Sequence, residues 1–149
     1  MRRSNRGFWQ VMLALGAGGV ALVALVIAFR PVARTGAVAY AQSNLRAVAV
    51  VAERVGSEDG SLSVATRERL SDEPELEDIL LIDPDQGSND PEVVSVFAAD
   101  QAWTGTTRAE TGECFWIRLE APDRTVLGTG TDCSAEDASS AKPSGWPDP

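Results

Sequence analysis

The 149-residue chain has no histidine, one lysine and two cysteines. Without histidine there is no imidazole base for a catalytic triad, and the commonest zinc ligand is missing. The single lysine, Lys142, stands in a Ser/Ala/Pro-rich stretch and not in a glycine-rich phosphate loop. Acidic residues are plentiful, but no spacing gathers them into a cleft. An enzymatic role is not expected, and neither is a cofactor, a metal or a small-molecule substrate. Positive charge is scarce where a partner surface would need it. All 22 acidic residues lie beyond Arg34, against eight basic ones, a net charge of −14 for residues 35–149. Such a surface repels phosphate backbones, so nucleic-acid binding is excluded.

Charge is also missing from residues 8–29, where Gln10 is the one clearly polar side chain. Twenty-two helical residues span roughly 33 Å, enough to cross a hydrocarbon core of about 30 Å. A secretory signal core is usually about 7–15 residues, shorter than this run. Arg2, Arg3 and Arg6 precede it, and Arg30 and Arg34 follow. That bias places the N-terminus in the cytoplasm and the acidic part outside. The chain is thus expected to divide into a basic cytoplasmic leader (1–7), a transmembrane helix (8–30), an extracellular domain (31–133) and a disordered tail (134–149).

Beyond Pro31 the pattern stays helical but becomes one-sided. Val38, Ala41, Leu45, Val48, Ala52 and Val55 recur at steps of three and four, and Gly56 stands where a C-cap is expected. This predicts one long helix over 8–55, apolar all round in its first half and amphipathic in its second, with Pro31 placed to kink it. A short helix over 63–70 follows, capped by Ser61 or Ser63. Then come β-type runs at 79–82, 93–98, 102–107, 113–119 and 125–130, separated by turn residues. In the fourth, Phe115, Ile117 and Leu119 face one way, and Cys114, Trp116 and Arg118 the other. Short links suggest an antiparallel sheet. Its apolar face needs a cover, and the stripe from Val38 to Val55 is the only long one available. The expected fold class is α+β, a long N-terminal helix packed on a small antiparallel sheet.

Two residue sets invite a chemical test. Cys114 and Cys133 form an even pair in a domain expected outside the cell, which suggests a disulfide; the alternative is two free buried thiols. The stretch 83–92 (DPDQGSNDPE) offers several hard oxygen ligands for calcium. The spacing does not match a helix-flanked calcium loop. Ser88 occupies the place of its glycine, and Val94 that of its bidentate glutamate. A solvated acidic turn is the better reading, and Trp146 in the tail reads as incidental.

The ordered features resemble one family. A basic leader ends at Gly7-Phe8, an apolar helix and a proline follow, then AQSNLRAVAVVAERVG, then a small β domain with a late cysteine pair. This is similar to the type IV pilins and the pseudopilins of type II secretion. The segment GECFWIRLEAPDRTVLGTGTDC resembles the C-terminal part of pilin-like proteins from Gram-positive actinobacteria. The resemblance implies a pilin-like fold. It implies a membrane peptidase that cuts after Gly7 and methylates Phe8, and a structural role in a surface filament beside other pilin-like subunits. The family's fifth mature residue is usually glutamate, and here it is Met12; Trp9 and Gln10 replace the usual Thr-Leu type pair. The missing glutamate points to a minor subunit, and Met12, Trp9 and Gln10 together set the question of whether the peptidase cuts after Gly7. The alternative is an uncleaved single-pass membrane protein whose outer domain has a binding or accessory role.

Overall fold

The computed structural model describes residues 34–147. The leader, the apolar run and Pro31 lie outside the described residues. The chain divides into two compact units, Met1–Thr35 and Gly36–Pro149. The second holds every described strand.

Helix α1 covers residues 34–59. All six residues of the predicted stripe are buried, together with Ala49 and Val51. The expected C-cap is corrected. Gly56 lies inside the helix, and the chain leaves it at Gly60, whose φ of 76° only glycine adopts without strain. Gly56 serves packing instead, because a Cβ there would sit 2.8 Å from Leu62 Cδ2. The short helix expected over 63–70 is two pieces. A 3-10 turn at Leu62–Val64 uses the Ser61 hydroxyl as its cap, and α2 (Arg67–Ser71) uses Thr66. A second 3-10 turn follows at Pro74–Leu76.

Five strands then form one sheet in sequential order: β1 (Leu80–Ile82), β2 (Val93–Ala99), β3 (Ala102–Arg108), β4 (Cys114–Glu120) and β5 (Arg124–Gly130). Strands β2 to β5 are antiparallel neighbours, but β1 runs parallel to β2. The sheet is therefore mixed, not antiparallel as expected. The physical reason is the connection over 83–92, which carries the chain back so that β2 starts beside the start of β1. Ser88 holds that connection. Its buried hydroxyl lies within hydrogen-bond distance of the Asp90 and Val93 carbonyls and accepts from the Arg108 amide, while its own amide donates to the Cys133 carbonyl.

The register gives the sheet two faces with different covers. Val94, Val96, Trp103, Phe115, Ile117 and Leu119 point to one side and join the α1 stripe in a single core. Fully burying a valine- or leucine-sized side chain is worth about 1.5–3 kcal/mol, so this stripe is what commits α1 to the sheet. Two mid-strand glycines make room for indoles. A Cβ on Gly105 would meet the Trp103 ring at 2.5 Å, and one on Gly128 would meet the Trp116 ring at 2.1 Å.

The opposite face carries Ser95, Thr104, Thr106, Trp116, Arg118 and Val126. Residues 133–141 cover it, which overturns the expectation of a disordered tail. Helix α3 (Ala135–Ser139) starts at Ser134, whose hydroxyl accepts from the Asp137 amide, and it buries Ala135 and Ala138. Ala138 and Ala141 pack with Trp116 and Val126. A stretch rich in Ser, Ala, Asp and Pro is ordered here because small alanines suffice against a flat, half-polar face.

Among the described residues no helix is long and apolar enough to cross a membrane. The span expected over 8–30 lies outside them.

Candidate functional site

The two residues of the expected processing site, Gly7 and Phe8, lie outside the described residues. The two cysteines are joined: Cys114, at the start of β4, is disulfide-bonded to Cys133, with Cα atoms 5.3 Å apart. Both are nearly fully buried. The bond fastens the entry of α3 to the sheet. The Cys133 carbonyl also accepts from the Thr106 hydroxyl at 2.7 Å and from the Ser88 amide at 3.0 Å. With both thiols used, neither cysteine is a nucleophile.

The acidic stretch 83–92 is spent on structure. Asp83 pairs with Arg67 at 3.1 Å, Asp90 caps the Glu92 amide, and Glu92 accepts from the Tyr40 hydroxyl at 2.6 Å. Hydrogen bonding to that carboxylate raises the Tyr40 pKa above its ordinary value, opposed by Asn44. Asn44 donates to the Pro91 carbonyl, so α1 and this loop are tied twice. Among the described residues no group of three or more Cys, Asp or Glu side chains is arranged to hold a metal ion.

The surface that stands out is the outer side of α1. Tyr40, Ser43, Ala47 and Val50 recur at helical spacing and are exposed; Val50 is 65% accessible. A solvated helix face normally carries several charges. Between residues 36 and 52 this one carries only Arg46, and its guanidinium lies over the Trp146 ring, 4.7 Å from the centroid. Further along, Arg54 turns to Glu73 at 2.8 Å and Glu75 at 3.2 Å. Between these two arginines Ala47, Val50, Val51 and Leu76 line a shallow apolar groove. The arrangement can bury another apolar surface, with Ser43 and Glu75 as its polar margin.

Glu73 lies behind the groove and holds Arg54, one of its lining residues. Its side chain is 9% exposed and pairs with both Arg54 and Arg69. The Arg54 hydrogen bond, with help from Arg69 and against the cost of burial, holds its carboxyl below the ordinary value of 4.5. A depressed carboxylate contributes stability that is fully present above its unfolded-state pKa and is lost as pH falls through the folded one. Glu73→Gln is therefore expected to be less stable than the unaltered chain at pH 7. The gap should narrow steadily below about pH 4.5. Urea melts of both chains from pH 7 to pH 3 check this; a gap that stays constant with pH would remove the ion-pair explanation.

Two residues have roles that the sequence did not announce. Arg118, 13% exposed, aims Nη1 at the carbonyls of Ala138, Ser139 and Ala141, at 3.4, 2.8 and 3.2 Å, and so caps the C-terminal end of α3. Trp146 is not incidental. Its Nε1 donates to the Trp116 and Gly128 carbonyls, and its ring meets Phe115 edge-on with centroids 5.9 Å apart. An isolated tryptophan in a polar, proline-rich stretch was the available signal, since its large apolar surface gains by finding cover. No family model, no curated protein and no solved structure matches the chain.

Proposed function

We propose that the chain is a minor pilin or pseudopilin-like structural subunit of a type IV pilus or type II secretion-type filament. The supporting observation is the division of labour on α1. Its inner stripe is committed to the sheet, and its outer stripe is left apolar and nearly uncharged. A helix built this way suits lateral packing against helices of other subunits, with the acidic β domain facing outward. The charge-free run over 8–29 would hold the subunit in the cell membrane before assembly, N-terminus inside and the disulfide-bonded domain outside. Its partners are then the membrane, a prepilin peptidase and other pilin-like subunits, and its role is not enzymatic.

A second reading rests on Met12. A carboxylate buried in lipid is costly unless paired, and the family uses one at this position; here there is none. This favours an uncleaved, membrane-anchored outer domain used for binding. Mass spectrometry of the N-terminus in the native host separates the two. The filament reading expects a chain that begins at methylated Phe8, and Gly7→Ala is expected to abolish that processing. A membrane fraction holding only chains that begin at Met1 would decide for the anchor.

A further inference from the structure

We propose that residues 142–147 guard the edge of β5, and that their release lets β5 pair with β5 of a second copy of this chain. The sheet order leaves two edges. β1 is three residues long and too short to recruit a partner, whereas β5 is seven. Over 125–130 β5 reads Thr-Val-Leu-Gly-Thr-Gly, with no charge and no proline. An uncharged edge of this length is a template for strand addition unless something covers it.

The cover is thin. The Gly145 amide donates to the Leu127 carbonyl at 3.1 Å, and the Thr129 amide donates to the Ser144 hydroxyl at 2.9 Å. The segment cannot continue as a sixth strand. Pro143 and Pro147 lack amide donors, and Gly145 has a φ of 73°. Ser144 and Gly145 are exposed. The segment is held down chiefly by Trp146, seated between Phe115 and Arg46, with a weak contact from Gln42 to the Pro147 carbonyl at 3.5 Å. One side chain therefore latches the guard.

The occupant is dictated by the strand's own sequence. An antiparallel two-fold centred on Leu127 sets residue 125 opposite 129, so the outward amides and carbonyls of the two copies meet. No like charges face each other. The one charge in β5, Arg124, is paired with Glu120 of its own sheet at 3.0 Å and falls opposite Gly130 of the second copy.

The test compares the full chain in detergent micelles with Trp146→Ala and with a chain ending at Ala141, by light scattering and hydrogen exchange. Both altered chains are expected to double their protein mass relative to the intact chain. At concentrations too dilute for pairing, the Thr129 amide of Trp146→Ala should exchange at least tenfold faster. Adding Thr129→Pro to the shortened chain is expected to return it to the intact chain's mass. That change removes an outward donor and no bond to β4. Unchanged mass in both altered chains overturns the proposal. So does association that Thr129→Pro leaves untouched, since an exposed apolar patch alone would behave that way. Should both altered chains lose their fold, Gly145→Pro decides: it keeps Trp146, breaks the Leu127 bond and cannot adopt a positive φ. Doubled mass in that variant supports the guard, and unchanged mass overturns it.

Discussion

Trp103→Ala is expected to destabilise the chain by about 3–5 kcal/mol, the range for deleting a buried tryptophan. Against a typical domain stability of about 5–15 kcal/mol, a loss of that size leaves a substantial unfolded population. Trp103 is fully buried and sits where three parts of the core meet. Its ring lies over Gly105 on the same strand, in the space a Cβ would fill, and Leu45 of α1 closes on that glycine from above. Its Nε1 donates to the Ala65 carbonyl at 3.1 Å, in the link between the first 3-10 turn and α2. Truncation would open a cavity beneath α1 and strand a buried carbonyl, and the second effect adds roughly 1–3 kcal/mol when no water can enter. Trp103→Phe keeps an aromatic ring but loses the donor and the fused five-membered ring, so its cost should be smaller than that of Trp103→Ala. Urea unfolding of the three chains, followed by far-UV circular dichroism, gives the comparison. A loss below about 1 kcal/mol for Trp103→Ala would mean that the core does not depend on this contact.

The same residue shows how far the sequence could be read. Helix α1 was legible because its stripe repeats at the helical period over 18 residues, from Val38 to Val55, and every member is buried. All five strands were legible because turn residues separate them, and the two faces of β4 were legible from alternation alone. The direction of β1 was not. It depends on the path of residues 83–92, and that path is fixed by bonds from Ser88 to Cys133 and Arg108, which are far away in sequence. The acidic composition of that stretch drew attention to cations, whereas a serine was its organising residue. The order of the C-terminal segment was not legible either, for a related reason. That a stretch rich in Ser, Ala, Asp and Pro is disordered is a sound average rule. It fails here because the disulfide, the Arg118 cap and Trp146 fasten the segment at three points. One local sign was present. Ser134 and Asp137 stand at capping-box spacing, and Ser134 is the N-cap of α3.

Removing the disulfide should be the second large loss. The double variant Cys114→Ala/Cys133→Ala is expected to lose about 3 kcal/mol, because the bond closes a loop across a separation of 19 residues. On the chain-entropy account this stabilisation comes from the unfolded chain, which the bond keeps from expanding. The folded contacts around Cys133 support that division. The Thr106 hydroxyl and the Ser88 amide both bond to its carbonyl, and alanine retains that carbonyl. The variant should therefore fold to the same structure, with α3 in place and Trp146 still seated. Its Thr129 amide should remain protected while its urea midpoint falls. The alternative is that the bond holds the C-terminal segment onto an unwilling sheet. In that case Thr129 protection would disappear under native conditions, well before global unfolding. Native-state hydrogen exchange distinguishes the two. If protection survives, the half-polar face built from Ser95, Thr106, Trp116 and Arg118 binds its cover by its own contacts, and the disulfide only shifts the global balance.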